Sequence, residues 1–305
     1  MNTFNLLTFV IYLSVSYKVD MMYPPFPLQV FALIAISLIY ASFDLFNKRN
    51  VPDAFAYASV AAGVLITLTF NESTMAYSFA IALFVGSVGY LIYRLGMWGA
   101  GDCFELVAIS LIMPIQPLPL LDSVIQLELP FVLSVFVATG FATVFIVPIY
   151  YLVFAKKTDI ERKPEKKHLN YGMSLLLLYL LLFITIYYFY SFDLVKIILI
   201  ILVAVPSAIT VMFENDITTR MVEKVYPNEL EEGDIVAFNM MSSDEMRYFL
   251  KYKNFGRLVT KEMMKGIKTA KRKLPVYKNA APLALFIVIG VIISLLLGNV
   301  ILLIV

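Results

Sequence analysis

Two aspartates, Asp44 and Asp102, stand where long apolar runs meet basic residues, and acids in such places need an explanation. A carboxylate in hydrocarbon costs about 2.5–3.5 kcal/mol on insertion scales, so an acid at the end of a span has either water or a task. Two carboxyls held together divide one proton between them and act as base and acid toward water and a carbonyl. The same two groups also suit a proton or cation site in a transport pathway. Asp102 is framed as Gly99-Ala100-Gly101-Asp102. Glycine permits positive φ and close approach of another backbone, which points to a chain, such as a peptide substrate, running beside this acid. Glu105 lies one turn beyond Asp102 and Lys48 one turn beyond Asp44, so these two are placed to tune the acids. Tyr40, one turn before Asp44, is in reach to donate a hydrogen bond to it. Asp53, after Pro52, reads as an ordinary helix-start residue.

The elements that position these residues are apolar. The chain has 305 residues, 61% hydrophobic and 15% charged, with a mean hydropathy of +0.84. That is the composition of a polytopic membrane protein. A single cysteine, Cys103, excludes an internal disulfide and a cysteine zinc cluster, and the lone His168 lies among lysines. A hydrocarbon core of about 30 Å takes about 20 helical residues. Measured against that length, the apolar runs are residues 2–17, 27–46, 54–70, 76–95, 102–121, 130–155, 170–190, 194–213 and 281–304. The expected fold is therefore all-α, with about nine transmembrane helices. The 102–121 run carries Pro114, Pro117 and Pro119 and is read as a proline-kinked crossing. A re-entrant loop there would put the basic run from Lys156 to Lys167 on the wrong side.

Lys48, Arg49, Arg94, Lys156 to Lys167 and Arg220 to Lys278 all fall on one side of this arrangement, with only Lys18 and Lys196 on the other. The positive-inside rule makes that side the cytoplasm of a plasma-membrane protein, with Asp44 and Asp102 facing it. The organisation is an N-terminal apolar segment (1–26), a transmembrane core (27–155), a further transmembrane hairpin (156–213), a cytosolic accessory domain (214–279) and a C-terminal helix (280–305). The accessory domain reads as a small α or α+β insertion. Ser242 and Glu245 have capping-box spacing. From Arg257 through Lys261, Lys265, Lys268 and Arg272 the cations recur at helical steps, which reads as an amphipathic helix suited to anionic headgroups rather than to nucleic acid.

At a cytoplasmic helix start, with a second acid ending another span on the same side, Gly-x-Gly-Asp is specific. The sequence resembles the GxGD aspartyl proteases, in particular the type IV prepilin and archaeal preflagellin (archaellin) peptidases. In that family the first catalytic aspartate ends one span and is followed by basic residues and Val/Ile-Pro-Asp/Asn. The second comes two spans later in Gly-x-Gly-Asp. This chain has Asp44-Leu45-Phe46-Asn47-Lys48-Arg49-Asn50-Val51-Pro52-Asp53, two spans, then Gly99-Ala100-Gly101-Asp102. The likeness covers residues 27–155. It implies Asp44 and Asp102 as the catalytic pair, with no cofactor and no metal. It also implies pilin-like or archaellin precursors as substrates, cut at a basic leader ahead of an apolar helix. Phe104 stands where the family carries lysine, and the first loop is one residue longer. Paired cysteines accompany N-methylation in bacterial members, and with Cys103 alone cleavage without methylation is implied. The presenilin-type branch pairs its acids differently and adds a later Pro-Ala-Leu, which Ala281-Pro282-Leu283-Ala284-Leu285 does not spell. The competing class is an ion-coupled transporter using the two aspartates.

Overall fold

A computed structural model of the chain describes residues 26–47, 50–117, 129–151, 165–189, 194–252 and 254–298. Helices α1 (Phe26–Phe46), α2 (Asp53–Phe70), α3 (Met75–Arg94), α4 (Ala100–Ile112) and α5 (Phe131–Ile149) follow the apolar runs. They are joined by a paired α6 (Lys166–Phe189) and α7 (Leu194–Met212) and by the last helix, α11 (Leu283–Leu297). Between α7 and α11 lie α8 (Glu214–Met221), strand β1 (Glu223–Val225), α9 (Ser243–Phe249), α10 (Lys261–Ile267) and strand β2 (Leu274–Val276). Among the described residues five helical stretches are long and apolar enough to cross a membrane. The protein is thus an all-α membrane protein with a small α+β insertion. The expected count of nine spans is not confirmed among the described residues: 2–17 lies outside them, and the chain bends by 73° between the end of α7 and α8.

Helix α4 is the centre of the bundle, packed by α1, α2, α3, α5 and α11. Its 13 residues span about 20 Å, less than a full hydrocarbon core. The expected kinked crossing over 102–121 is instead a helix that stops at Ile112, because the residue before Pro114 resists the helical region; Met113 has φ −135° and ψ 85°. The exposed carbonyls are satisfied from neighbouring helices. Thr67 Oγ1 donates to Leu111 O at 2.7 Å, and Asn71 Nδ2 donates to the carbonyls of Leu111 and Ile112, both at 3.3 Å. Gln29 Nε2 donates to Asn71 Oδ1 at 2.8 Å, which fixes the start of α1 at the same level. The chain continues extended. Ile115 bridges Pro130 and Gln116 Nε2 donates to Ser294 O at 2.9 Å, so non-helical backbone at this depth is covered by protein. Since α4 ends beside the end of α2, it runs in the same direction as α2.

Close approach of the helices rests on small residues. A Cβ on Gly63 would come within 2.9 Å of Leu111, and one on Gly290 within 2.3 Å of Thr139 Oγ1. The latter contact draws α11 against α5, and α11 also packs on α1, so the bundle that holds α4 is not confined to residues 27–155. By contrast, only 6% of the α6 stretch Lys166–Thr185 is buried, as expected of a helix facing lipid.

In the insertion, β1 pairs antiparallel with β2 with Lys224 opposite Pro275, over a core that includes Val236, Phe249, Met263 and Leu274. The Ser242–Glu245 capping box forms at the start of α9. The basic amphipathic helix expected from Arg257 to Arg272 does not. Only Lys261–Ile267 is helical, and its apolar residues Met263 and Ile267 are fully buried in the insertion's own core rather than presented to lipid. Arg272 and Lys273 instead lie over the rings of Tyr248 and Tyr226. Acidic side chains of the insertion are likewise paired locally: Glu229 accepts from Tyr226 N, Glu232 pairs with Lys261, and Asp234 with Lys278.

Candidate functional site

One face of α1 carries Leu33, Ser37, Tyr40 and Asp44, at steps of four, three and four, so the helical repeat stacks them in a single stripe. Leu33, Ser37 and Tyr40 are fully buried and Asp44, at the helix end, is half-buried. Tyr40 is bonded to a serine of α2. Its hydroxyl lies 2.8 Å from Ser59 Oγ on α2; since the Ser59 hydroxyl donates to Ala56 O, Tyr40 is the donor. Asp44 is met from a segment 240 residues away. The backbone N–H of Ala284, in the first turn of α11, donates to Asp44 Oδ2 at 3.1 Å. Such amides have no partner within their own helix, and an acid at a helix N-terminus is favourably placed for both hydrogen bond and dipole.

Asp102 is the third residue of α4 and turns back on its own helix start, accepting from Gly99 N at 3.0 Å. The two framing glycines work without positive φ: Gly99 has φ −74°, and Gly101 lies within α4 and is absent from the positive-φ positions. What they supply is room. A Cβ at Gly99 would lie 3.1 Å from Asp102 Oδ2, crowding the carboxylate. At Gly101 it would lie 2.8 Å from Val51 Cγ2. The group that approaches Gly101 is the Val51 side chain, from the loop that follows α1. In this way the loop following the first acid is seated against the helix carrying the second.

Glu105 lies below them with no exposed surface, and Ser37 of the α1 stripe is the polar side chain that faces its carboxylate. Asp102 and then Asp44 act on it through charge. The two aspartates, carried by helices separated by two others, thus share one buried acid as a neighbour. A buried carboxyl is costly, and such groups cluster where chemistry needs them. Lys48 falls outside the described residues. Asp53 is exposed at the start of α2, in the helix-start place read for it. Trp98 packs toward the core, 5.8 Å from the Phe136 ring of α5, rather than standing outward at an interface. Among the described residues no three His, Cys, Asp or Glu side chains are arranged to hold a metal ion.

Sequence reasoning missed Ala284, Val51 and Ser59. The stripe at 33, 37, 40 and 44 was available from helical spacing and pointed to a buried polar face. Nothing in the sequence linked Ala284 to Asp44, and the stretch 281–285, set aside for not spelling Pro-Ala-Leu, is the one that touches the acid. No protein-family model, curated protein or solved structure matches the chain.

Proposed function

We propose that the protein is a membrane-embedded aspartyl endopeptidase that removes class III leaders from pilin-like or archaellin precursors without methylating the new amino terminus. The observation that carries this reading is the placement of Asp44 and Asp102 at one end of the bundle around Glu105. In the proposed reaction one aspartate takes a proton from water as the oxygen attacks the scissile carbonyl, and the other donates a proton to the carbonyl oxygen. Collapse of the tetrahedral species returns that proton and passes one to the leaving amine. The lysine and arginine distribution orients this end toward the cytoplasm of the plasma membrane, where a basic leader ahead of an apolar helix presents its cut site.

The test is cleavage of a leader-bearing precursor by the purified, reconstituted chain. Asp44→Asn and Asp102→Asn each keep shape but cannot share the proton, and each is expected to lower the rate by about 10²–10⁴-fold with insertion intact. Near-normal processing by either variant would sink the assignment. One observation favours a second reading: the fully buried Glu105, within electrostatic reach of two further acids, also suits a proton or cation pathway. That reading expects ion flux into proteoliposomes, lost in the same variants, with no peptide cleavage.

A further inference from the structure

The insertion between α7 and α11 lies against the turn before Asp102 and leads directly into the helix start that meets Asp44. Its neck is closed by the β1–β2 pair, by Asn279 N donating to Met221 O at 3.0 Å, and by the Tyr151 hydroxyl donating to Asn279 O. Five residues beyond Asn279 comes the Ala284 amide that holds Asp44. On the other side, Arg257 lies over the buried Gly96, whose φ is +65°, so that a Cβ there would come within 3.2 Å of Arg257 Cγ and 3.5 Å of its Cδ. The contact is made by the apolar stem of the arginine, as long cations often do. Gly96 sits in the turn that ends at Gly99, the amide donor to Asp102. Glu232 and Lys261, bonded to each other, lie within electrostatic reach of Tyr93, in the last turn of α3, and of Asp53, the first residue of α2.

We infer that the insertion is a positioning element for the acid pair, with Arg257 as its positioning residue on the Asp102 side and the Ala284 amide as its counterpart on the Asp44 side. This rests on the peptidase reading. Placement of reacting groups is steep in its effect, so a displacement of about 1 Å costs about 10²-fold. A domain that pins both the turn before one acid and the helix start behind the other governs turnover rather than leader binding. The resemblance to known peptidases covers residues 27–155 and left 214–279 as an accessory domain.

The experiment uses the full chain, with steady-state and single-turnover cleavage of a leader peptide. Arg257→Ala is expected to lower kcat about tenfold with KM within about twofold, because the interaction lost acts on geometry rather than on ground-state binding. Arg257→Lys and Arg257→Met keep the stem over Gly96 and are expected to recover most of the rate. If Arg257→Ala fails to fold in a thermal melt, Ala284→Pro serves: it deletes the amide donor in the first helical turn, where proline is tolerated, and kcat falls again. Unchanged kcat in a folded Arg257→Ala or Ala284→Pro protein, or a loss confined to KM, overturns the inference. Cleavage that survives Asp44→Asn or Asp102→Asn instead overturns the peptidase reading beneath it.

Discussion

At the residue scale the two glycines before Asp102 have separable tasks. Gly99 leaves the carboxylate space above its own amide donor, and Gly101 leaves Val51 space against α4. Gly101→Val is therefore expected to push the Val51-Pro52-Asp53 loop off α4 and to cut cleavage strongly. The smaller Gly101→Ala, at 2.8 Å from Val51 Cγ2, displaces a side-chain methyl and has a partial effect. Val51→Ala, by removing that methyl, should rescue Gly101→Ala, and peptide-cleavage rates for the three variants check it. Failure of the rescue would show that the contact is not what the glycine is for. The residues of this site were legible from type and spacing, as acids at span ends and a Gly-x-Gly frame. The reason for the glycines was not, because a sequence reports that a Cβ is missing but not which neighbour would have met it.

At the element scale the least expected participant is α11. Its contact with α5 passes through Gly290, where a Cβ would lie 2.3 Å from Thr139 Oγ1 and 2.7 Å from Val135 O. Gly290→Ala forces the helices apart and is expected to cost about 1–3 kcal/mol, read as a lower melting temperature in detergent. Thr139→Ala should relieve only part of that loss, since the Val135 carbonyl does not move away with the side chain. Activity should fall further than stability, because α11 also carries the amide that orients Asp44. In the insertion, the capping box at α9 joins Ser242 Oγ to Glu245 N at 3.2 Å and Glu245 Oε2 to Ser242 N at 2.8 Å. The Ser242 amide and then Lys224 hold the Glu245 carboxyl below its usual range. A lowered folded value means a stabilising contribution present above the unfolded value, about 4.3, and lost as pH falls through the folded one. Ser242→Ala should cost about 1 kcal/mol at neutral pH. Melts of Glu245→Gln and the parent chain should differ at pH 7 and converge in acid; a difference that persists below both values would mean the box contributes nothing through charge.

At the scale of the whole molecule, the places of the apolar helices could be read from apolar length, and the capping box from its spacing. The arrangement of α11 and the docking of Arg257 on Gly96 could not be read in this way. They join residues far apart in sequence through single close contacts, which leave no periodic trace. The basic run misled for a related reason: its spacing marks an amphipathic helix but not whether its apolar side faces lipid or, as here, the insertion's own core. The structure does establish two opposite ends of the bundle, one holding Asp44, Asp102 and the insertion, the other holding the turn between α2 and α3. The positive-inside rule then assigns the first end to the cytoplasm, and this can be checked without reference to activity. Cys103 sits between α3 and α4 with its Sγ 3.2 Å from Gly89 O, so Cys103→Ala gives a background free of other thiols. Lys268→Cys and Glu72→Cys then report on exposed positions at the two ends. An impermeant maleimide should label Glu72→Cys in intact cells and Lys268→Cys only in inside-out vesicles. The reverse pattern would put the acid pair on the outer face, where a cytoplasmic leader never passes, and the proposed substrate would fall with it.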